Sequence, residues 1–368
     1  MTQTYSEGGA TFQVGEAFFR SESRIVRDLG ILAATVYRQE KGELRVLEGM
    51  AGCGVRSLRY LAESKADWVW VNEGNPDLIP LLQSNFKTVI FAQHAQLSCE
   101  NTQRLLYHCS LSQDYYDFID VDCFGNVSEF LASTLQAVKT GGLVYLTSTD
   151  GRSLTGHLPE TSLARYGAYA RSHPSHHEQA LRILLGSWQQ TAASLGWGIE
   201  PIFAFYHGET YRILVRLVTQ SQLTPDHYGF LGYCHACGEY QQVGWRKLGQ
   251  TQCHCNQRPL TITGPMWLGQ LHDGTFLHEM QTLAQQWQWT HCSQLLEVMA
   301  QEAEFPPYFY SLGEIGRRGT LDIPPKAELI AKLRSQGYQA TATHINPQAI
   351  KTDASLADCI QCSLQLKE

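Results

Sequence analysis

The segment Leu44-Arg-Val-Leu-Glu48-Gly49-Met-Ala-Gly52-Cys53-Gly54 runs from apolar residues through an acid into a glycine-rich turn, and Glu73 closes a second apolar run 21 residues after Gly52. Glycines let a backbone approach a ligand closely, and a carboxylate at the end of the next strand can take ribose hydroxyls. The dinucleotide pattern G-x-G-x-x-G is absent, and Gly49-x-x-Gly52-x-Gly54 stands behind Glu48 in its place. An acid at that point repels pyrophosphate and suits the cationic amino acid and sulfonium of S-adenosylmethionine. A ligand-free strand-to-helix turn is the plain alternative. The second constellation is Asp120-Val-Asp122-Cys123-Phe124-Gly125-Asn126. An exocyclic base amine is a poor nucleophile because its lone pair is delocalised into the ring. A carboxylate that accepts its N–H can localise and orient that pair and take the proton, while an aromatic face stacks the base. Here the alternative is a capping acid followed by a core phenylalanine.

These residues need a scaffold that brings strand ends together. Apolar runs at 44–47, 68–72, 116–121 and 143–148 read as buried strands, with a weaker one between 88 and 97. Helical spacing fills 55–62, 76–86, 100–109 and 127–139 between them. Alternation of this kind predicts a doubly wound α/β domain, in which residues just past the strands' carboxyl ends face the ligand crevice. After a helix over 175–195, strand-like runs at 199–206 and 211–218 are joined only by His207-Gly-Glu-Thr210. That connection fits an antiparallel hairpin at the sheet edge, the ending expected of a class I, Rossmann-like methyltransferase.

A polar stretch, Gln220-Ser-Gln-Leu-Thr-Pro225, opens a smaller α+β part, giving expected domains at 1–220 and 221–368. Cys234-His-Ala-Cys237-Gly238 and Cys253-His-Cys255 place four thiols within 22 residues, a four-cysteine pattern for structural Zn2+ in a knuckle over about 228–262. His235 and His254 stand as possible substitute ligands, and reduced free thiols are the alternative. Helices at 275–289, 291–304, 308–315 and 325–336, a basic turn and a strand at 338–344 suggest a winged-helix-like module suited to gripping a nucleic-acid backbone, against an ordinary packing domain.

Other candidates read as structural. Ser175 and Glu178 have capping-box spacing, which explains His176-His177 without catalysis. Asp150-Gly151 is as well explained by a turn as by a substrate contact. Cys53 and Cys123 have no base partner and read as small buried residues, and Cys359-x-x-Cys362 lacks a second pair. A net charge of -7 weighs against broad nucleic-acid binding, while the arginines at 20, 24 and 27 and the basic residues between 314 and 334 leave room for a local basic surface or for solvated helix faces. No run approaches a membrane span, no secretory leader opens the chain, and eleven cysteines without one imply a reducing compartment, hence a cytoplasmic location with no membrane and no obligate protein partner evident.

Taken together, Glu48 to Gly54, Val69-Trp-Val-Asn-Glu73, Phe118-Ile-Asp-Val-Asp122-Cys-Phe-Gly125, Leu146-Thr-Ser-Thr-Asp150-Gly151 and Ala180-Leu-Arg-Ile-Leu-Leu-Gly186 resemble the successive blocks of the tRNA guanine-N2 dimethyltransferases, which act on the guanosine at tRNA position 26. The resemblance extends to Phe18-Phe-Arg through Arg27-Asp28, to Gly264-Pro-Met-Trp-Leu-Gly269 and to Thr343-His-Ile-Asn-Pro-Gln-Ala-Ile-Lys351-Thr-Asp353-Ala354, covering about residues 7–354. It implies S-adenosylmethionine as methyl donor, tRNA as substrate, and N2,N2-dimethylguanosine as product. The candidate cofactor set is Arg27, Glu48, Gly49, Gly52, Gly54, Glu73 and Glu100, with Glu73 where the family usually shows Asp. Asp122 matches the acid proposed to engage the guanine amine, and Phe124 the aromatic after it. The family's usual Asp-Pro-Phe-Gly-Ser is Asp122-Cys-Phe-Gly-Asn126 here, so a rigid proline bend is lost. Two other readings stand beside this one: an amine methyltransferase acting on DNA or a small molecule, and a non-catalytic RNA-binding protein that keeps the fold.

Overall fold

The computed structural model describes residues 3–366. In chain order its first elements are β1 (Thr4–Glu7), β2 (Ala10–Gln13), α1 (Arg24–Lys41), β3 (Arg45–Glu48), α2 (Val55–Ala62), β4 (Trp68–Asn72), α3 (Ile79–Phe91), β5 (Ala95–Ser98), α4 (Thr102–Leu111), β6 (Tyr116–Asp122), α5 (Leu131–Ala137) and β7 (Val138–Ser148). There follow α6 (Gly151–Leu154), α7 (Pro159–Tyr166), α8 (His176–Ser194), β8 (Gly198–His207), β9 (Thr210–Val218), β10 (Tyr228–Tyr233), β11 (Tyr240–Val243) and β12 (Thr261–Trp267). The last are α9 (Gly274–Gln286), α10 (Thr290–Gln301), β13 (Tyr310–Ser311), α11 (Leu312–Gly319), α12 (Lys326–Ser335), β14 (Ala340–Ala342), β15 (Ala349–Thr352) and α13 (Leu356–Leu364).

The main sheet has the order β5-β4-β3-β6-β7-β9-β8. Pairs β3–β4, β3–β6, β4–β5 and β6–β7 are parallel. Strands β8 and β9 are joined through Gly208 and Glu209, both at positive φ (51° and 70°), as the two-residue turn of a hairpin requires. The α/β class and the terminal hairpin thus stand as expected. Val46, Val69, Phe118, Ile119 and Val144 are all fully buried, because crossover helices cover both faces of a parallel sheet and leave no room for alternation.

Two compact units divide the chain, the first comprising 1–148, 214–220 and 278–296, the second 149–213, 221–277 and 297–368. In the first, β1 and β2 form a hairpin held by Arg27, which pairs with Glu7. Arg27 is 5% exposed, so it belongs to no basic surface. In the second, β11-β10-β12 and β13-β15-β14 are small antiparallel sheets. Helix α8 lies close against β12: a Cβ on Gly186 would stand 2.8 Å from the Trp267 nitrogen.

Several local expectations failed. Helix α3 runs on to Phe91, through residues assigned to a weak strand, and only Ala95–Ser98 is extended. The β-branched run Thr88-Val-Ile90 favours a strand by propensity, but the helix continues without a break from the turn that buries Phe86. Helix α5 ends at Ala137, and β7 starts five residues before the expected strand. Ser175 makes no capping bond; its hydroxyl accepts the Phe309 N–H (3.1 Å), and Glu178 turns to Arg182 and Lys351. The capping box lies instead at Ser355 and Asp358, starting α13.

Candidate functional site

Strand β3 ends at Glu48, and the turn after it is tied down on three sides. Gly49 donates its N–H to the Asp120 carbonyl (2.8 Å), and its own carbonyl accepts from the Asn72 amide (2.9 Å) and the Thr102 hydroxyl (2.7 Å). A Cβ on Gly49 would stand 2.6 Å from the Thr102 methyl, and one on Gly54 would stand 2.3 Å from the Phe86 ring. Gly52 and Gly54 have φ of 56° and 79°, which side chains disfavour. Half-buried Glu73 accepts the Gly52 N–H on one oxygen (2.8 Å) and the Asn75 N–H on the other (2.9 Å). Glu100 is brought beside this strand end by Asn72, whose side chain binds its backbone N–H (3.1 Å) and carbonyl (2.9 Å). Asn72 was not among the expected site residues; an amide closing an apolar strand was the available signal.

Glu48 is 1% exposed, and its carboxyl accepts from the Ser57 N–H (3.1 Å) and hydroxyl, while its other oxygen has no partner. Burial first, and then the Asp120 charge, push its pKa up to about 8. The reason lies in the register, which sets Glu48 directly beside Asp120 on β6. Glu48 therefore holds its proton well above the ordinary carboxylate range, and the simple attraction expected between its charge and a cation gives way to an acid whose ionisation a bound cation would favour. Arg27, also assigned to this site, has its guanidinium engaged by both oxygens of Glu7 (2.7 and 2.5 Å) and by the Arg20 carbonyl.

The second constellation meets the first through an arginine that sequence reasoning missed. Arg56, on the first turn of α2, donates to Asp122 (2.6 Å) and to Asp120 (3.1 Å), and Tyr60 donates to the same Asp120 oxygen (2.8 Å). Arg56 is 4% exposed and the Asp122 side chain 33%. The carboxylate of Asp122 is thus fixed at the entrance of α2, directly after the glycine turn, with part of its surface open. Phe124 is not core: it is 73% exposed and meets Phe18, itself 59% exposed, edge-on at 5.4 Å, with the Arg20 guanidinium over the Phe18 ring. Phe18 was read only as part of a motif block. The substituted loop keeps its form by other bonds, with the Cys123 thiol against the Thr147 carbonyl (3.0 Å), Asn126 accepting the Ser128 N–H (2.9 Å), and Gly125 at φ 72°. Burial raises the Cys53 thiol to about 11, as befits an inert core residue.

Asp150 accepts from Arg165 (2.7 Å), Tyr166 (3.1 Å) and Ser153 (2.8 Å), bonds that favour the turn reading. Cys234, Cys237, Cys253 and Cys255 converge with their sulfurs all within 4.8 Å of one another, while His235 and His254 stay outside the group. Arg318 on α11 clamps this knuckle, donating to the carbonyls of Ala236 (2.7 Å) and His235 (3.2 Å).

The chain was compared with known proteins. A family model described as N2,N2-dimethylguanosine tRNA methyltransferase matches residues 4–363. A tRNA (guanine(26)-N(2))-dimethyltransferase of Pyrococcus abyssi is 28% identical over 92% of this chain and 90% of its own length, and one of Saccharolobus solfataricus 27% over 95% and 91%. The structure of Trm1 from Pyrococcus horikoshii with S-adenosyl-L-methionine superposes with a TM-score of 0.84 at 27% identity, covering 98% of this chain and 99% of that one.

Proposed function

The chain belongs to the N2,N2-dimethylguanosine tRNA methyltransferase family, and from that membership we infer that it is an S-adenosylmethionine-dependent tRNA (guanine(26)-N2)-dimethyltransferase. The match reaches through residues 221–363 as well as the sheet, which speaks against an amine methyltransferase with some other substrate. It also speaks for tRNA as the partner.

When bound, S-adenosylmethionine supplies an electrophilic methyl on a sulfonium. The residues present fit such a group: a turn with no room for side chains at Gly49 and Gly54, a buried Glu48 oxygen without a partner, and Glu73 carboxylate oxygens that each retain a lone pair beyond the backbone N–H they accept. Glu48, Gly49, Gly52, Gly54, Glu73 and Glu100 form the cofactor wall, and Arg27 acts on it through the hairpin it locks. Asp122 accepts an N–H of the guanine N2 amine, aims its lone pair, and takes the proton released as the new N–C bond forms. Phe124 and Phe18 offer aromatic faces to a guanine withdrawn from its tertiary contacts. A second round on the monomethylated amine still offers Asp122 one N–H, so the same acceptor serves both transfers.

The single observation that carries this assignment is the Arg56 contact that holds Asp122 at the glycine turn. Purified protein with labelled S-adenosylmethionine and unmodified tRNA transcript tests it: Asp122→Ala abolishes methylation at guanosine N2 with cofactor affinity nearly unchanged, and comparable turnover by that variant removes the role.

The functional division we propose is a methyltransferase domain at 1–220 and a tRNA-gripping part at 221–368. The four thiols suit structural Zn2+. Sulfur separations of 3.2–3.7 Å compare with roughly 3.8 Å for tetrahedral thiolates at a Zn–S distance of about 2.3 Å. Four protein ligands leave no open position for water, so such an ion would hold the knuckle rather than catalyse. No helix among the described residues is long and apolar enough to cross a membrane, and the eleven thiols are unpaired. Both are consistent with work in the cytoplasm.

A further inference from the structure

Three residues outside the methyltransferase site meet in the second unit. His272 lies between β12 and α9, Glu302 directly after α10, and His344 between β14 and β15. His272 and Glu302 are each 2% exposed, and the His344 side chain is 0% exposed. One donor atom from each falls within 4.8 Å of the others. The His272 Nε2 is 3.9 Å from a Glu302 oxygen that also touches His344 Nδ1, and the two imidazoles stand edge to face at 5.2 Å.

A buried ion pair does not account for this arrangement. One carboxylate with one imidazole would satisfy Glu302 Oε1 and His344 Nδ1. It leaves Glu302 Oε2, His344 Nε2 and both ring nitrogens of His272 buried without partners. Four orphaned atoms at one point are unusual in a folded interior, where buried polar groups are paired or coordinate a metal. Nor do the neighbouring cations serve as the missing partners. Lys351 is engaged by Glu178 (2.6 Å) and the Pro306 carbonyl, and Arg182 by Glu178 and two backbone carbonyls.

We propose that His272, Glu302 and His344 bind a divalent transition-metal ion, Zn2+ by preference, at a site separate from the four-cysteine knuckle. Two imidazoles and a carboxylate form a ligand set that zinc accepts, with metal–ligand distances of about 2.0–2.2 Å that put neighbouring donors roughly 3.3 Å apart. The pair at 3.9 Å needs a small closure, and the closer contact between Glu302 and His344 an opening, to reach that spacing. The position gives the ion a task. The chain leaves the second unit after Leu277 and re-enters at Glu297, so His272 and Glu302 flank that excursion, and a shared ion would tie its two ends to the strand-linking segment that carries His344.

The test uses the full-length protein expressed with Zn2+ or Co2+ in the medium, metal per chain being counted by mass spectrometry before and after p-hydroxymercuribenzoate, which strips thiolate-bound metal. The expected result is metal that survives the mercurial at one ion per chain and, in the cobalt form, weak visible absorption without a sulfur charge-transfer band. Glu302→Gln should lose this resistant ion while keeping the mercurial-releasable one. Protein left without metal by the mercurial overturns the proposal, whether or not the variant folds. So does resistant metal that is undiminished in folded Glu302→Gln and His272→Gln, because it must then lie elsewhere.

Discussion

Replacing Arg56 with methionine tests whether Asp122 acts from a position imposed on it. The guanidinium spans Asp122 at 2.6 Å and Asp120 at 3.1 Å. Its removal leaves two carboxylates two residues apart on β6, one of them wholly buried beside Glu48. Breaking a buried ion pair by deleting one partner costs about 3–5 kcal/mol. The Asp122 side chain is 33% exposed, and Tyr60 still donates to Asp120, so the expected loss is the lower figure, ~3 kcal/mol. The catalytic effect is separable from it. A positioned proton acceptor contributes about 10²–10⁴ in rate, and an Asp122 that has lost the Arg56 guanidinium should forfeit about 10² of that. Single-turnover methylation of tRNA transcript, at a temperature where circular dichroism shows every variant folded, gives the rate, and equilibrium dialysis gives cofactor affinity. Arg56→Met should slow transfer about 100-fold with cofactor affinity within about threefold. Asp122→Asn should slow it at least as much, and the double variant no further, since both substitutions remove one function. Losses that multiply in the double variant, or a rate for Arg56→Met near wild type, would refute the positioning argument.

Glu48 makes stability depend on pH with a definite sign. Its pKa rises from 4.5 to about 8 on folding, so the native state holds a proton that the unfolded chain has released. Its contribution is therefore complete below pH 4.5 and is lost as pH climbs toward 8, by at most about 5 kcal/mol. Urea midpoints at pH 5, 7 and 9 should fall more steeply for wild type than for Glu48→Gln, and parallel curves would remove the claim. Phe124→Ala and Phe18→Ala delete exposed rings, so thermal stability should hold while KM for tRNA rises by about 5- to 150-fold, the worth of roughly 1–3 kcal/mol of stacking; an unchanged KM in both would take the base-stacking role away. Gly54→Ala should cost about 2–4 kcal/mol in denaturant titrations, from overpacking against Phe86 together with a left-handed φ of 79°, and a variant within experimental error of wild type would show that the turn can relax.

What the sequence disclosed and what it concealed divide by the range of the interaction. The glycine turn, the buried parallel strands and the two-residue hairpin were legible because each is dictated by neighbours within a few residues, and the same holds for the thiol pairs of the knuckle. Helix α3 shows where local reading breaks down, since residues 88–90 have strand propensity and are helical all the same. The charge network around Asp122 lies wholly beyond local reading. Glu48 and Asp120 are 72 residues apart in the chain and become neighbours only through the β3–β6 register, which brings two acids together at adjacent strand ends. Once they are side by side, one must be neutralised and the other paired. Ser57 and a retained proton answer for Glu48, Arg56 and Tyr60 for Asp120. Because Arg56 must reach into the sheet for Asp120, its other amino group falls on Asp122, at the next strand position on the same face. The carboxylate of Asp122 is therefore oriented by the same cation that makes the acid pair beneath it tolerable, so a substitution at Asp120 should disturb Asp122 through the guanidinium they share.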